Sequence, residues 1–393
     1  MLALKIIFWT CLFVVFYTYL GYGMLLYVII RLKHLVRGHR QLPEMPVDEE
    51  LPTMTLMICA YNEQDIVAEK MQNTRALDYP KDKFRVMWVT DGSTDDTNLR
   101  LKDYAEVDVV YSPERRGKTA ALKHGLREVT TELVAFTDAN TMINSGAMKE
   151  IARRFKDKTV GCVSGEKRVA ARNGEMAAKG EGLYWRYEST LKKWDSELYS
   201  TMGAAGELYA VRPELCREVS DTALLDDFMM SMIIVDEGHR IDYAPEAYAL
   251  EYGSANIFEE SKRKRRIAAG GLQSIWWLRR MLNPMRQPLV AFQYISHRVL
   301  RWSLTPIAMI LLLIANILLV VAGAGVVYTV LLILQALFYL AALAGWILSR
   351  HGIKNKLLYT AYYFMFMNIN VFRGMAYLTT HHQSGAWEKA RRS

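Results

Sequence analysis

Cysteine is scarce in this chain of 393 residues, and its spacing follows no pattern of metal binding or cross-linking. The four cysteines lie far apart and include no C-x-x-C pair: Cys11, Cys59, Cys162 and Cys216. A zinc ribbon needs closely spaced cysteine pairs, and a disulfide framework needs many cysteines for its length, so the sequence argues against both. We therefore expect the soluble part of the chain to lie in a reducing compartment.

Charge is absent from two long stretches near the ends of the sequence. Residues 4–30 carry only Lys5, and residues 304–349 carry no charged residue. A spanning helix needs about 20 apolar residues, and the first stretch also exceeds the ~7–15 residues of a signal-peptide core. We predict an N-terminal transmembrane anchor over residues 1–35 and a transmembrane hairpin over residues 303–349.

Basic residues gather beside these apolar stretches. A net charge of +8 would suit nucleic acid if the cations covered one face of a domain. Cations next to membrane segments instead follow the positive-inside rule and favour anionic lipid headgroups. The basic residues between positions 31 and 40 place the following domain in the cytoplasm. We expect the lipid bilayer as a partner and no nucleic acid.

Two further segments combine apolar and polar residues. Residues 256–302 mix basic and aromatic side chains, which is typical of amphipathic helices on a membrane surface. Within a predicted membrane or interfacial segment at residues 355–380, residues 357–379 are apolar but include Asn368, Asn370 and Arg373, and such groups inside a span are costly and often functional. This segment is either a fourth span that lines a polar path or an interfacial or re-entrant helix. The basic end of the sequence, predicted as a cytosolic tail over residues 381–393, favours the second alternative.

The middle of the sequence, residues 50–255, alternates short apolar runs with helix-like stretches. Runs typical of buried parallel strands lie at residues 53–60, 84–90, 107–112 and 132–137, and helix-like stretches lie at residues 63–76, 95–104 and 117–128. This alternation predicts an α/β fold with a doubly wound sheet. Such sheets bind ligands at the carboxyl ends of their strands, so the residues that follow each strand are the candidates for function.

Polar residues follow three of the predicted strands. Tyr61 and Glu63 follow the first, Asp91 follows the second, and Asp138 and Asn140 follow the fourth. Taken singly, a run such as D-G-S-T-D-D after the second strand is also typical of a helix N-cap after a tight turn. Three such groups at one sheet edge favour a ligand site. Because Mn²⁺ and Mg²⁺ take oxygen ligands, Asp138 and Asn140 are predicted to hold one of these ions beside a diphosphate.

Cations and a second acidic pair complete the candidate site. Lys118 follows Arg115 and Arg116 at the start of a predicted helix, where a phosphate could bind, although a solvated turn explains these cations equally well. Asp226 and Asp227 open another helix-like run. Adjacent carboxylates push each other's pKa apart, so one of them could act as general base on an acceptor hydroxyl. N-capping of the helix is the other interpretation, and the two roles are compatible.

Taken in order, these segments resemble the membrane-bound family 2 glycosyltransferases, which include the hyaluronan, chitin-oligosaccharide, poly-N-acetylglucosamine and cellulose synthases. The resemblance is carried by ICAYNE (58–63), VTDGSTDDT (89–97), RRGKTAAL (115–122), FTDANT (136–141), GAAGELYAVR (203–212), LLDDF (224–228) and KRKRRIAAGG (262–271). It implies a cytosolic domain of the GT-A type with a mixed sheet, flanked by transmembrane and interfacial helices in a multi-pass protein of the bacterial inner (plasma) membrane. The implied reaction is an inverting, metal-dependent transfer from a UDP-sugar to a growing glycan or a lipid-linked acceptor.

The resemblance implies roles for individual residues at the nucleotide end of the site. Ala60, Tyr61 and Glu63 would line the nucleotide pocket, and Asp91 would contact the uracil or the ribose. Lys118, in the R-R-G-K motif, would be a further donor-binding residue.

It also implies roles at the reaction centre. Asp138 would bind the diphosphate and the metal, in the place of the first Asp of the family's D-x-D. Asp227 would be the general base, with Asp226 as the alternative, and Arg266 would hold the diphosphate. The loop under the acceptor sugar would consist of Gly203, Ala204, Ala205 and Gly206.

Two positions depart from the family pattern. Asn140 replaces the second Asp of D-x-D, which predicts a weaker metal site. The family's Q-x-x-R-W reads R-K-R-R-I at residues 263–267, so the Trp that lies beside the acceptor sugar in processive synthases is missing. The chain is then either a processive synthase, whose channel an oligomer or a membrane partner subunit would complete, or an enzyme that adds a single sugar. A membrane nucleotidyltransferase is a remote third alternative, because the sequence has no strong Gly-rich triphosphate loop.

Overall fold

The computed structural model of the chain describes residues 1–170, 176–252, 257–353 and 355–380. The contacts between residues divide the chain into two units. The sheet unit consists of the described residues of Ile30–Arg172 and Trp185–Gly253, and the helical unit of those of Met1–Ile29, Asn173–Tyr184 and Ser254–His381. The predicted cytosolic tail, residues 381–393, lies outside the described residues.

The strands of the described residues all belong to the sheet unit. They are β1 (Met54–Ala60), β2 (Phe84–Asp91), β3 (Val107–Ser112), β4 (Leu133–Asp138), β5 (Met142–Ile143), β6 (Val160–Ala170), β7 (Leu208–Val211) and β8 (Arg240–Tyr252). The α-helices are α1 (Leu2–Phe16), α2 (Tyr22–Arg37), α3 (Val67–Arg75), α4 (Thr97–Leu101), α5 (Lys118–Leu126), α6 (Ala147–Arg154), α7 (Met176–Leu198), α8 (Asp226–Asp236), α9 (Ile257–Trp277), α10 (Pro288–Tyr294), α11 (Leu300–Trp302), α12 (Leu304–Val321), α13 (Val326–Arg350) and α14 (Lys356–Thr380).

A single mixed sheet is formed in the order β3-β2-β1-β4-β7-β6-β8-β5. Strands β3, β2, β1 and β4 run parallel to one another, and β7 is antiparallel to both of its neighbours, β4 and β6. The prediction of an α/β fold with a doubly wound mixed sheet is therefore confirmed. The four strands predicted from apolar runs are the parallel half of this sheet.

The first helices of the sheet unit are shorter than the sequence suggests. The stretch 63–76 was expected to be helical, but α3 begins at Val67. The backbone N–H of Glu63 donates to the hydroxyl of Thr97 at 2.8 Å, so this end of the stretch is held against the start of α4 instead. Polar residues at strand ends are thus held in turns, and the helices start after them.

The core of the sheet unit lies along β1 and β2. Met54, Leu56 and Ile58 of β1 and Trp88 of β2 are fully buried. Continuous burial is expected for parallel strands that are covered on both faces, and it explains why these strands are apolar runs without polar alternation. Burial of this kind fixes the strands, and through them the edge at which they end.

The register of the parallel strands brings their carboxyl ends to one edge. Ala60 lies opposite Thr90, and Cys59 lies opposite Asp138. Asp91 is the last residue of β2. The residues that follow β1, β2 and β4 therefore lie side by side at one edge of the sheet, as the sequence predicts.

In the helical unit, α1 lies against α12. Phe8 of α1 is buried with Ala308 and Leu312 of α12. Further along the same pair of segments, the hydroxyls of Thr18 and Thr305 form a buried hydrogen bond of 2.8 Å. A small polar pair buried between apolar helices is a common way to fix their register.

A second close helix pair is formed by α9 and α14. A Cβ atom on Gly374 would lie 2.7 Å from the backbone nitrogen of Ala269, so the glycine lets the two backbones approach. The hydroxyl of Ser261 donates to Oδ1 of Asn370 at 2.8 Å. The hydroxyl of Tyr19 donates to Oδ1 of Asn368, also at 2.8 Å. Both asparagines of α14 are therefore used in contacts between helices.

Three helical stretches are long and apolar enough to cross a membrane, judged by length and composition within the described residues. They are Leu2–Arg37, Leu304–Val321 and Val326–Arg350. The last two correspond to the hairpin predicted from the sequence, and Gly323 and Gly325 between them have positive φ angles of 66° and 127°. The interfacial or re-entrant placement of α14 stays a prediction.

The segment between the sheet residues and the hairpin carries exposed aromatic and basic side chains. Trp276 at the end of α9 is exposed, and the guanidinium of Arg279 lies 5.2 Å from its ring centre. An exposed Trp beside Arg is typical of a helix at a membrane interface. The surface placement of residues 256–302 stays a prediction.

Candidate active site

The turn after β1 is built around Asn62. Its φ angle is 52°, in the left-handed region that Asn tolerates better than most residues. Its side-chain oxygen accepts a hydrogen bond from the backbone N–H of Thr94 at 2.8 Å. Beside it, the guanidinium of Arg115 lies 3.9 Å from the ring centre of Tyr61. Ala60 is buried beneath this turn, so three of the strand-end segments meet here.

Asp91 holds the segment that leads into α5. Its side chain is buried, and its two oxygens accept hydrogen bonds from the backbone N–H groups of Arg116 (2.9 Å) and Gly117 (2.7 Å). A Cβ atom on Gly92 would lie 2.5 Å from the backbone nitrogen of Arg115, so only glycine allows this approach. Contact between Asp91 and a nucleotide stays a prediction. The structure shows in addition that this carboxylate fixes the backbone before α5.

The helix that follows D-G-S-T-D-D is α4, and its N-cap residue, Asp96, makes no side-chain capping hydrogen bond. The first amide of α4, that of Thr97, donates to Oδ1 of Asp95 at 3.0 Å. Burial alone would raise the pKa of Asp95, but hydrogen bonds from the hydroxyl of Thr97 and from the backbone N–H groups of Gln64 and Thr97 lower it below its ordinary value. Asp95 therefore holds the helix start, and Asp91 is left to the strand-end site.

Lys118 points into the site and contacts two carboxylates. Its ammonium lies 2.6 Å from Oδ1 of Asp138 and 3.9 Å from Oδ2 of Asp226. Burial lowers the pKa of Lys118, but the two carboxylates more than offset this, and the pKa is raised above its ordinary value. The solvated-turn interpretation is therefore wrong for Lys118, whereas the side chain of Arg116 is largely exposed.

Asp226 and Asp227 open α8 beside this cluster. The residue before them, Leu225, is the N-cap and provides no side-chain hydrogen bond. Burial and the neighbouring Asp226 raise the pKa of Asp227 to about 6. Oδ2 of Asp226 is buried and accepts no hydrogen bond in the described part of the chain. A carboxylate with such a pKa can take up a proton near neutral pH, which a general base requires.

The loop Gly203–Gly206 lies against this acidic pair. A Cβ atom on Gly206 would lie 2.7 Å from Oδ2 of Asp227. The backbone N–H of Ala204 donates to the hydroxyl of Ser231 at 3.0 Å, and that of Ala205 to Ser164 at 3.2 Å. The loop is thus fixed by its own backbone, and its last glycine lets it lie close to the carboxylate of Asp227.

Two buried charges near the site were missed by the sequence reasoning. Lys70 of α3 is fully buried and donates to the backbone oxygen of Thr141 at 2.6 Å, and burial lowers its pKa to about 7. Lys167 forms ion pairs with Glu207, next to the glycine loop, and with Glu251. Nothing in the local sequence marks these lysines, because the stretches around them read as ordinary polar helix and strand surfaces.

The residues at the strand edge fit a hard divalent cation. Asp138 and Asp226 already face one cationic group, the ammonium of Lys118, so the carboxylate oxygens converge on a position that suits positive charge. Within the described residues no group of three or more His, Cys, Asp or Glu side chains is placed to hold a metal. Asn140 is half-buried after β4. Such a site would need further oxygens from a diphosphate, as Mg²⁺ and Mn²⁺ sites commonly do.

Arg266 belongs to α9 in the helical unit. Its Nε is buried and donates no hydrogen bond to any described residue. Ile267 follows it, where the resemblance would place a Trp. The diphosphate contact of Arg266 stays a prediction.

Residues 55–219 match a family model described as glycosyl transferase family 2. The chain contains a family 2 glycosyltransferase domain. Asp91, Asp138 and the loop Gly203–Gly206 lie within the matched residues, whereas Asp227 and Arg266 lie beyond them.

Two curated relatives align with a little over half of the chain. The chain is 25% identical over 236 residues to the poly-beta-1,6-N-acetyl-D-glucosamine synthase of Staphylococcus aureus strain MSSA476, which covers 58% of this chain and 57% of that protein. It is 26% identical over 214 residues to the beta-monoglucosyldiacylglycerol synthase of Nostoc sp. strain PCC 7120, covering 53% of this chain and 43% of that one. The chain therefore spans about half the length of these curated relatives.

One solved structure resembles almost the whole chain. The mannosyltransferase PcManGT from Pyrobaculum calidifontis, in complex with GDP-Man and Mn²⁺, matches 97% of this chain and 100% of that one with a TM-score of 0.69 and 23% identity. At this identity the likeness establishes the fold. The sheet is therefore of the GT-A type, accompanied by long apolar helices, as the resemblance implied.

Proposed function

We propose that this family 2 protein is an inverting, metal-dependent glycosyltransferase that moves a sugar from a UDP-sugar to an acceptor at a membrane. The observation that carries the proposal is the cluster of Lys118, Asp138 and Asp226 at the ends of the strands, next to Asp227 and the glycine loop. Charge for a leaving diphosphate and a candidate base for an acceptor hydroxyl meet there at one edge of the sheet.

In the proposed reaction, Asp227 takes the proton of an acceptor hydroxyl while the hydroxyl oxygen attacks the anomeric carbon. The bond from that carbon to the diphosphate breaks, and UDP leaves with the electron pair. A single displacement inverts the anomeric configuration. Asp138, with Asn140, would hold a divalent cation, whose charge would stabilise the leaving diphosphate. Lys118 would contact the same diphosphate, and a diphosphate contact of Arg266 is proposed from its motif position alone.

The nucleotide end of the donor would lie beside the turns after β1 and β2. Ala60, Tyr61 and Glu63 would line the pocket, and Asp91, which holds the segment before α5, would accept a hydrogen bond from the base or the ribose. The acceptor sugar would lie on the loop Gly203–Gly206. These assignments rest on the strand-end geometry and on the motif positions.

The sugar is proposed to be a hexose or an N-acetylhexosamine. Support comes from the two curated relatives, a poly-beta-1,6-N-acetyl-D-glucosamine synthase and a beta-monoglucosyldiacylglycerol synthase. The protein is proposed to lie in the bacterial inner membrane with several spans and with the sheet unit in the cytoplasm. Three apolar helical stretches and the basic residues after the first of them support this orientation.

A second candidate function is the addition of a single sugar to a lipid-linked acceptor. Ile267 favours it, because isoleucine offers no flat face on which a growing polymer could stack. A processive synthase would need its path completed by an oligomer or a partner subunit. The length of the product on a sizing gel separates the two candidates.

The test of the proposal is release of nucleoside diphosphate by the purified full-length protein with Mn²⁺ and a membrane extract. UDP-glucose, UDP-galactose, UDP-N-acetylglucosamine and UDP-N-acetylgalactosamine are compared with GDP-mannose. UDP release that Asp227→Asn abolishes, with UDP binding retained, supports the proposal. Absence of release from every UDP-sugar overturns it, and turnover by Asp227→Asn overturns the assignment of the base.

A further inference from the structure

Lys118 lies between two carboxylates that have different roles in the proposed function. Its ammonium is 2.6 Å from Asp138, the proposed metal ligand, and 3.9 Å from Asp226, the neighbour of the proposed base. Oδ2 of Asp226 is buried and accepts no hydrogen bond from the described residues. The negative charge on both sides of the site is thus balanced through one lysine side chain.

A divalent cation on Asp138 competes with this ammonium. Oδ1 of Asp138 is the oxygen that Lys118 contacts, and a metal ligated by the same carboxylate would lie within a few ångströms of the ammonium. Like charges at such distances repel strongly in a partly buried site. Binding of the metal therefore requires Lys118 to move its charge elsewhere.

The diphosphate of a bound donor is the anion that can receive this charge. Lysine is a flexible carrier of a point charge and commonly contacts phosphate. Lys118 is the first residue of α5, and the backbone before it is fixed because Gly117 donates to Asp91 at 2.7 Å. Its ammonium can therefore change partner by rotation of the side chain alone.

We propose that Lys118 makes metal binding depend on the donor, because its ammonium occupies Asp138 until a nucleoside diphosphate takes the ammonium over. The inference rests on the proposed function and goes beyond it by assigning an order: the metal enters with the nucleotide or after it. Lys118 thereby acts as a positioning residue that keeps a metal without nucleotide off the strand edge.

The test is a titration of Mn²⁺ followed by electron paramagnetic resonance, with the full-length protein in detergent, with and without saturating UDP. For the unchanged protein, UDP raises the affinity for Mn²⁺ about tenfold, a common size for coupling between two sites. For Lys118→Met, the affinity for Mn²⁺ without UDP rises by about the same factor, and the effect of UDP becomes small. By reciprocity, Mn²⁺ raises the affinity for UDP less in the variant than in the unchanged protein.

The matched control is Lys123→Met on the same helix. Lys123 pairs with Asp221 at 2.6 Å, and we place it outside the donor and metal contacts. It should bind Mn²⁺ as the unchanged protein does. Thermal unfolding checks that Lys118→Met is folded, and Lys118→Gln replaces it if it is not.

An unchanged affinity of Lys118→Met and Lys118→Gln for Mn²⁺ without UDP overturns the inference. Asp138→Asn separates this outcome from failure of the proposed function. If Asp138→Asn loses Mn²⁺ in the presence of UDP while the Lys118 variants match the unchanged protein, only the role of Lys118 is wrong. If Asp138→Asn binds Mn²⁺ with UDP as well as the unchanged protein does, the metal site itself is wrong, and the inference falls with it.

Discussion

Gly206 and Asp227 touch without a side chain between them: a Cβ atom at residue 206 would lie 2.7 Å from Oδ2 of the aspartate. The loop can lie this close to the carboxylate only because residue 206 has no side chain. A single added methyl group would meet the carboxylate itself, and the carboxylate or the loop would have to shift.

The substitution Gly206→Ala tests this contact. We expect kcat to fall about 10- to 100-fold, because small misplacements of reacting groups have effects of that size. Steady-state UDP release measures it. Gly146→Ala is the control, since nothing lies within 4 Å of a Cβ at that position, and it should be neutral. Full activity of Gly206→Ala would contradict the placement of the acceptor at this loop.

The pH dependence of turnover reports the protonation of Asp227. Burial and Asp226 raise its pKa to about 6, and a general base must be unprotonated. Activity should therefore be high above pH 6 and fall roughly tenfold per pH unit below it. A profile of kcat from pH 5 to pH 8 measures this, and the apparent pKa belongs to the coupled pair rather than to one residue. A flat profile through pH 6 would argue against Asp227 as base.

Lys70 should leave a signature in stability rather than in chemistry. Burial lowers its pKa to about 7, so between pH 7 and its ordinary value near 10.5 the unfolded chain holds a proton that the folded chain has lost. Stability of the folded state then rises with pH in this window. From pH 7 to pH 9, the free energy of unfolding of the unchanged protein should rise by about 2 kcal/mol relative to that of Lys70→Met.

Thermal unfolding in detergent at the two pH values measures this difference. Lys156→Met is the control, because Lys156 lies on the surface and pairs with Glu50 at 3.0 Å. It should show no such relative change. Parallel behaviour of Lys70→Met and the unchanged protein at both pH values would mean that Lys70 keeps its ordinary pKa.

Gly374→Leu tests the close pair of α9 and α14. A Cβ at this position would already lie 2.7 Å from the backbone of Ala269, so a larger side chain must push the helices apart. We expect the free energy of unfolding to fall by about 1–3 kcal/mol, the usual range for overpacking. The melting temperature in detergent measures it. Ala376→Leu, at an exposed position of the same helix, should be close to neutral, and equal effects of the two substitutions would disprove the close contact.

The sequence was a good guide wherever one apolar run determined one strand. Asp91 and Asp138 could be placed together because β1 pairs in parallel with both β2 and β4, and parallel strands end at one edge. The partners of the two carboxylates could not be predicted. Those of Asp91 are backbone amides of a later segment, and a backbone amide leaves no mark in a sequence.

Buried polar residues were the other limit. Lys70 lies in a helix whose residues are mostly polar, and only the depth at which α3 lies against the sheet shows that this lysine is enclosed. Asn368 and Asn370 suggested a polar path through the membrane, yet each is engaged with a side chain of another helix. A polar residue in an apolar segment can line a polar path through the membrane or contact another helix. The sequence does not distinguish the two, because the same side chain can form hydrogen bonds in either place.

Asp91 determines the shape of a segment to which it is not adjacent in sequence. Its carboxylate accepts hydrogen bonds from the main-chain N–H groups of Arg116 and Gly117. These hydrogen bonds therefore do not depend on which side chain residue 116 carries. That position can vary in evolution while the start of α5, and with it Lys118, keeps its place. A change of Asp91 has no such freedom, since no other side chain at that point supplies two oxygens at the same reach. Mutational tolerance in this segment should therefore be very uneven, wide at residue 116 and almost nil at residue 91.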